Sequence, residues 1–271
     1  MTTAALRAPL PKPPSLPRRF ADAVADSLTI TRRNLLVWMR VPAFLVFTLV
    51  QPVMFVLMFR YVFGGAIKVG NAGGYVDFLI PGIIAQSAGF ASIGTAIALA
   101  EELKKGVIDR FRSMPMARSA VLSGRLIADT GRMLATIGVM VGVGYAVGFR
   151  FRNGAGPAVG MIALATAFGL TVCCIAAFIG LAVKDQETVQ SVGLIWLFPL
   201  TFVSSAFVPV SSMPSWLQPF TIHQPVSQVI DAMRGMALGG PIWVHLWQAL
   251  AWLAGALIVF GPLAVRAYRR A

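Results

Sequence analysis

A chain of 271 residues that is 57% hydrophobic and only 12% charged has about half the charged fraction of a soluble domain. Its formal net charge of +13 sits at the ends of apolar runs rather than on one face, which is the pattern that orients membrane segments and argues against nucleic acid as a partner. Cys173 and Cys174 are adjacent inside one apolar run, which excludes an ordinary structural disulfide between them and any CxxC motif.

Residues 1–17 hold five prolines and little apolar periodicity, and are expected to form a disordered cytoplasmic tail. No h-region or small-residue cleavage site follows the early basic residues, so a signal peptide is not expected. In residues 18–42, Phe20, Val24, Leu28, Leu35 and Met39 recur near helical spacing, with Arg19, Asp22, Asp26, Arg32 and Arg33 between them. This predicts an amphipathic helix lying in the cytoplasmic membrane interface. A cytosolic extension of the first span is the alternative. Val41-Pro42 marks the turn into the bilayer.

Six apolar segments follow: 43–63, 78–100, 133–149, 157–183, 188–210 and 242–265. A hydrocarbon core of about 30 Å needs about 20 apolar residues per helix. Backbone groups in lipid must be satisfied internally, so these segments are helices. The alternation of lipid-facing strands is missing, which excludes a barrel. The expected fold is an all-α integral membrane protein with six transmembrane helices, a transmembrane domain over 43–265 and a short tail over 266–271. Six spans put both termini on one side. That side collects 18 of the Lys and Arg residues against 5 on the other, so both ends are expected in the cytoplasm.

Several chemistries lack their motif. None of the lysines (Lys12, Lys68, Lys104, Lys105, Lys184) precedes Ser or Thr, so the chain carries no Walker A loop. There is no HExxH. His223 and His245 are distant in sequence and read as interfacial hydrogen-bonding groups rather than metal ligands. No serine sits in a GxSxG elbow. The middles of the six segments are free of Asp, Glu, Lys and Arg, whereas ion-coupled transporters place ionisable groups at that depth. Uphill transport by this chain would draw its energy from a partner.

Residues 101–132 form the richest charged stretch, EELKKGVIDRFRSMPMARSAVLSGRLIADTGR. Residues 101–112 are expected to form a short helix that ends by Pro115, with Ser119 opening the next. Such a helix between two spans is a natural docking point for a cytosolic partner. A solvated loop held by the positive-inside rule is the alternative. Gln51, Gln86, Ser87, Ser92 and Thr95 are polar groups at membrane depth. They either line a pathway or bond neighbouring helices. Residues 211–240 are amphipathic and interrupted, with Met213, Pro214, Trp216, Pro219, Phe220 and Pro225, and are expected on the outer side. Gly138 with Gly142, and Gly144 with Gly148, have the spacing that allows close helix packing.

The stretch KKGVIDRFRSMPMARSAVLSGR resembles the cytoplasmic coupling segment of type-2 ABC exporter permeases, and more narrowly the daunorubicin/doxorubicin-resistance permease group. TLVQPVMFVLMFRYVFGGAI, YAVGFRF and VPVSSMPSWLQPFTIHQPVSQVIDAMRGMALGGP are similar to the same group, and the resemblance runs over residues 27–270. One departure is Lys104, where many members of the wider family carry Glu two residues before the glycine at Gly106.

The resemblance implies the permease subunit of an exporter in the bacterial inner membrane. The cargo would be an amphipathic drug, antibiotic or lipid-like molecule. It also implies a second permease subunit, as homodimer or heterodimer, embedded in membrane lipid, and two copies of a cytosolic ABC ATPase beneath them. No cofactor is expected on this chain, because ATP and magnesium would sit on the ATPase. The resemblance places a cytoplasmic coupling helix at Glu101, Glu102, Gly106, Asp109, Arg110, Arg112 and Pro115, all facing the ATPase. It likewise implies short extracytoplasmic re-entrant helices before the last span, with Met213, Pro214, Trp216, Pro219 and Pro225 capping the pathway. A passive channel or structural membrane protein is the competing reading, and an intramembrane enzyme a third.

Overall fold

Long apolar runs leave the backbone no partner but itself, and every regular element among the described residues is helical. The computed structural model describes residues 16–40, 42–67, 69, 74–107 and 120–270. In chain order the helices are α1 (Leu16–Arg40), α2 (Pro42–Met58), α3 (Tyr75–Lys104), α4 (Ala120–Ala146), α5 (Ala155–Val183), α6 (Gln186–Phe202), α7 (Gln218–His223), α8 (Pro225–Leu238) and α9 (Ile242–Arg270). α2 runs into a π-helical turn, Phe59–Phe63, and a 3-10 turn, Val210–Ser212, precedes α7. Four helical segments among the described residues are long and apolar enough to cross a membrane: Tyr75–Lys104, Ser123–Ala146, Ala155–Val183 and Ile242–Tyr268. Leu49–Phe63 is apolar but shorter, and α6 has 17 residues.

α3 is the central post. It is buried along most of its length, with α5 as its principal neighbour and α2, α4, α6 and α8 around it. Lipid tails are as apolar as leucine, so such helices hold together by close packing and hydrogen bonds rather than by escape from water. Small residues make that approach possible. A Cβ at Gly180 of α5 would lie 2.4 Å from the Ala96 carbonyl oxygen of α3, and one at Gly82 would lie 2.4 Å from that of Ala206. The glycines expected to pack on the third span behave differently. Gly138 and Gly142 face open space, Gly144 meets Ile80 and Phe149, and Gly148 closes α4 with a φ of +107°.

α1 lies along α4. Ser27, Ile30 and Thr31 are buried in the contact, and Leu35 points at Gly131. Val24, Leu28 and Met39, from the expected apolar stripe, stay exposed. The helix therefore carries two faces, one for α4 and one open. The side chain of Phe20 lies outside the described residues.

Five boundaries differ from expectation. Residues 1–15 of the expected tail lie outside the described residues, and α1 already begins at Leu16. Residues 101–112 do not form one helix. Glu101 and Glu102 complete α3, which stops at a turn where Gly106 takes a φ of +65°, the usual helix-ending conformation of glycine. The third apolar segment does not start at residue 133 but extends over Ser123–Ala146, within a helix that runs from Ala120, beside the Ser119 expected to open it, and includes Asp129 and Arg132. The fifth does not reach residue 210. α6 ends at Phe202, and a buried irregular stretch follows at Ser204, Ser205, Ala206 and Phe207. Residues 266–270 are not a tail. α9 continues because Tyr268 packs against Leu99, Ala177 and Leu181.

Candidate functional site

Four helices that contact α3 or one another leave a cavity of about 260 Å³ between them. α2 contributes Gln51, Pro52 and Phe55, α3 contributes Gln86, Ser87 and Phe90, α4 contributes Arg132, and α6 contributes Gln190 and Leu194. The wall is mostly apolar with a few placed polar groups, the usual make-up of a small-molecule site. Three of the five polar residues singled out at membrane depth (Gln51, Gln86 and Ser87) converge here. The other two do not. Ser92 donates to the Gly89 carbonyl oxygen at 2.6 Å, and Thr95 donates to Asp129 Oδ2 at 2.8 Å.

Thr95 opens onto a buried polar cluster behind the cavity wall. Arg132 Nη2 lies 3.0 Å from Asp129 Oδ1, 3.2 Å from the Ala91 carbonyl oxygen and 3.5 Å from Thr95 Oγ1. Cys173 Sγ is 3.6 Å from Thr95 Oγ1. The two charged side chains are only 12% and 10% exposed. A buried pair persists when its remaining donors and acceptors are met, and Asp129 has both carboxylate oxygens engaged. Neither Asp129 nor Arg132 was singled out among the polar groups at membrane depth, so the sequence reading missed this cluster. The signal was their i,i+3 spacing, which puts them on one face of a continuous helix.

At the end of the bundle that carries Lys104, the three helices α1, α3 and α4 meet on Glu102. Arg33 of α1 reaches Oε1 at 2.7 Å and Arg125 of α4 reaches Oε2 at 2.9 Å. Ser27 and Ser123 share a hydrogen bond at 2.8 Å, and Thr31 donates to the Gly124 carbonyl oxygen at 2.9 Å. Glu101 instead pairs on the surface with Lys105 at 2.5 Å. Asp109, Arg110, Arg112 and Pro115 lie outside the described residues. Close by, Asp185 caps α6 by accepting the Thr188 backbone N–H at 2.9 Å. That bond, followed by one from the Thr188 hydroxyl, holds its carboxyl below the usual carboxylate range.

At the opposite end α8 is locked in place by Arg234. Its Nε donates to the Phe78 carbonyl oxygen at 2.9 Å, Nη1 pairs with Asp231 at 2.8 Å, and Nη2 donates to the Ser205 and Ala206 carbonyl oxygens. The guanidinium carbon stands 3.5 Å from the Phe78 ring centroid. Burial pushes Arg234 down to about 10, with Asp231 opposing that shift, so it stays charged at neutral pH. Arg152 pairs with Asp77 at 2.7 Å on the same end.

The residues expected to form the cap are around this knot. Met213 accepts from Gln218 through its carbonyl oxygen, and its sulfur accepts from Thr221. Pro214 precedes α7, Pro219 lies in its first turn, and Pro225 starts α8. Trp216 is 77% exposed. His223 Nδ1 is 2.8 Å from the Pro219 carbonyl oxygen, and His245 Nδ1 is 3.0 Å from Gln228 Oε1. Both histidines are thus in hydrogen bonds, and no cluster fit to hold a metal occurs among the described residues.

Residues 26–238 match the family model described as ABC-2 type transporter. The chain is 33% identical over 249 residues to the daunorubicin resistance ABC transporter permease protein DrrB1 of Streptomyces coeruleorubidus, covering 92% of this chain and 88% of that protein. It is 34% identical to the probable doxorubicin resistance ABC transporter permease protein DrrC of Mycobacterium tuberculosis, covering 92% and 90%. It is 28% identical to the doxorubicin resistance ABC transporter permease protein DrrB of the same organism, covering 73% and 70%.

Proposed function

Because the chain belongs to the ABC-2 type transporter family, we propose that the cavity between α2, α3, α4 and α6 is part of the export path of a drug-efflux permease. The observation that carries this reading is the convergence of Gln51, Gln86 and Ser87 on one cavity in a chain akin to drug-resistance permeases over 92% of its length. The cargo is an amphipathic drug, antibiotic or lipid-like molecule. The chain is a transport subunit, and hydrolysis of ATP falls to a separate ATPase, present in two copies under a pair of permeases.

In this reading α2 and α6 join the four long apolar helices to give six spans, with both termini in the cytoplasm of a bacterial cell. The charge asymmetry supports that orientation. α1 lies in the inner interface with Val24, Leu28 and Met39 toward lipid. The turn after α3 leads into a coupling segment that bears Asp109, Arg110, Arg112 and Pro115 on the ATPase. Glu102, held between Arg33 and Arg125, ties the end of α3 to α1 and α4, while α7 and α8 cap the path on the outer side.

The test is uptake of the neutral amphipathic dye Nile red into inverted vesicles, or its efflux from cells, that co-express the chain with its ATPase. Export is expected to require ATP and to fall about tenfold or more when Leu194→Trp fills the cavity. Movement of the dye by the chain alone, without ATP, would establish the passive-channel reading instead. For the orientation, Ala155→Cys in a background lacking Cys173 and Cys174 is expected to react with an impermeant thiol reagent from outside. Ser113→Cys is expected to react only after permeabilisation, and the reverse labelling overturns the topology.

A further inference from the structure

We propose that the cavity selects molecules that present an acidic oxygen, a carboxylate or phenolate, on an apolar body, and that Arg132 is the group that binds it. The proposal rests on the cavity being the substrate path and names the class of cargo that path accepts. Arg132 lines the cavity, and among the described residues no carboxylate does. Its partner Asp129 faces away, with Oδ1 on Arg132 and Oδ2 on Thr95. The ion pair is therefore polarised, and a ligand meets its cationic end.

The donors on that end are not used up. Among the described residues every hydrogen bond of the guanidinium leaves from Nη2 and Nη1 makes none, while Nε is buried beyond a ligand's reach. A donor held away from bulk water costs free energy while it is unmet, and an acceptor that a ligand brings to Nη1 recovers it. An ionised acceptor does so most strongly, because a charge-assisted bond is about twice as strong as a neutral one. Ser87 adds little donor capacity, since its hydroxyl already donates to the Ile83 carbonyl oxygen at 2.7 Å. The amides of Gln51, Gln86 and Gln190 serve neutral carbonyl and hydroxyl groups without preference for charge. Phe55, Phe90 and Leu194 provide the apolar wall. An ammonium in this place would face Arg132 with no carboxylate of the lining to meet it.

The experiment compares three fluorescent probes with one skeleton: 11-(dansylamino)undecanoate, its primary amide, and the matching dansyl alkylamine. Binding is measured by fluorescence to the full chain with its ATPase in nanodiscs, against empty nanodiscs. The carboxylate is expected to bind about tenfold or more tightly than the amine, with the amide between. Arg132→Gln alone strands Asp129, so the decisive variant is the double change Arg132→Gln with Asp129→Asn, which removes both charges and leaves two amides that can bond each other. It is expected to abolish the preference for the carboxylate. The single change Asp129→Asn is expected to strengthen it. A preference that survives the folded double variant, or a preference for the amine, overturns the proposal. Leu194→Trp separates the two readings. If it blocks all three probes and no charge preference exists, only the selectivity falls. If it blocks none of them, the cavity is not the binding path and both readings fall.

Discussion

The two ends of the bundle use the same chemistry, an arginine against a carboxylate, in opposite ways. At the Arg234 end one guanidinium binds its own helix through Asp231 and three backbone carbonyl oxygens from elsewhere, at Phe78, Ser205 and Ala206. Backbone acceptors do not rotate, so α3, α8 and the stretch after α6 are fastened in one arrangement. At the Glu102 end the contacts run from side chain to side chain. One carboxylate holds Arg33 and Arg125 on two different helices, and Arg33 is 40% exposed. Either arm can let go while the other holds. A charged contact is rigid or adjustable according to what anchors its acceptor.

Replacing Arg234 is the strongest way to break that comparison. Arg234→Ala strands Asp231 and three carbonyl oxygens, and loss of one partner of a buried pair costs about 3–5 kcal/mol. Thermal unfolding followed by size-exclusion chromatography is expected to show a large loss of folded protein. Arg234→Lys recovers part of it, since an ammonium lacks the planar fork. An unchanged melting profile in Arg234→Ala would mean that this end is not fastened as described.

A middle-sized effect is expected at the other end. Glu102→Gln keeps the shape and removes the charge that Arg33 and Arg125 share. A hydrogen bond to a charged group contributes about 1.5–3 kcal/mol, and exposure of Arg33 reduces that. The folded fraction is expected to drop modestly, while drug moved per ATP hydrolysed drops further. Equal losses in the two measurements would mark Glu102 as purely structural and erase the contrast between the ends.

The smallest effect on stability belongs to the double change Asp109→Ala with Arg110→Ala. Exposed charges contribute about 0–1 kcal/mol, so insertion and melting are expected to stay as in the parent. ATPase recruitment in a pull-down, or efflux at matched expression, is expected to fall. Full recruitment and full efflux would make these two residues solvated charges with no part in coupling.

The position of the helices was readable because it is a local property. An apolar run in lipid has to satisfy its own backbone, and α2, α3, α5 and α9 lie close to where their runs predicted them. The helical form of α1 was equally legible from the spacing of Val24, Leu28 and Met39. Boundaries went wrong where tertiary contacts outweighed composition. The apolar run was started only at residue 133, after the charges of Asp129 and Arg132, but within α4 each supplies the other's partner, so the packed helix includes them. α6 stops early because Ser205 and Ala206 are needed by Arg234, which lies almost 30 residues further along the chain.

By itself the sequence determined the class of molecule, the order of its helices and the polar residues available at membrane depth, since each of these follows from the composition of a short stretch. Only the tertiary structure decided which of those polar residues share a space. Gln51, Gln86 and Ser87 face one cavity, while Thr95, nine residues after Gln86, turns to Asp129. Glu102 likewise became the meeting point of three helices rather than an outward charge. The reason is geometric. A helix rotates by about 100° per residue, so a side chain's neighbours depend on which helices lie beside it, and that is set by close contacts such as Gly180 on Ala96 and Gly82 on Ala206 between residues far apart in the chain.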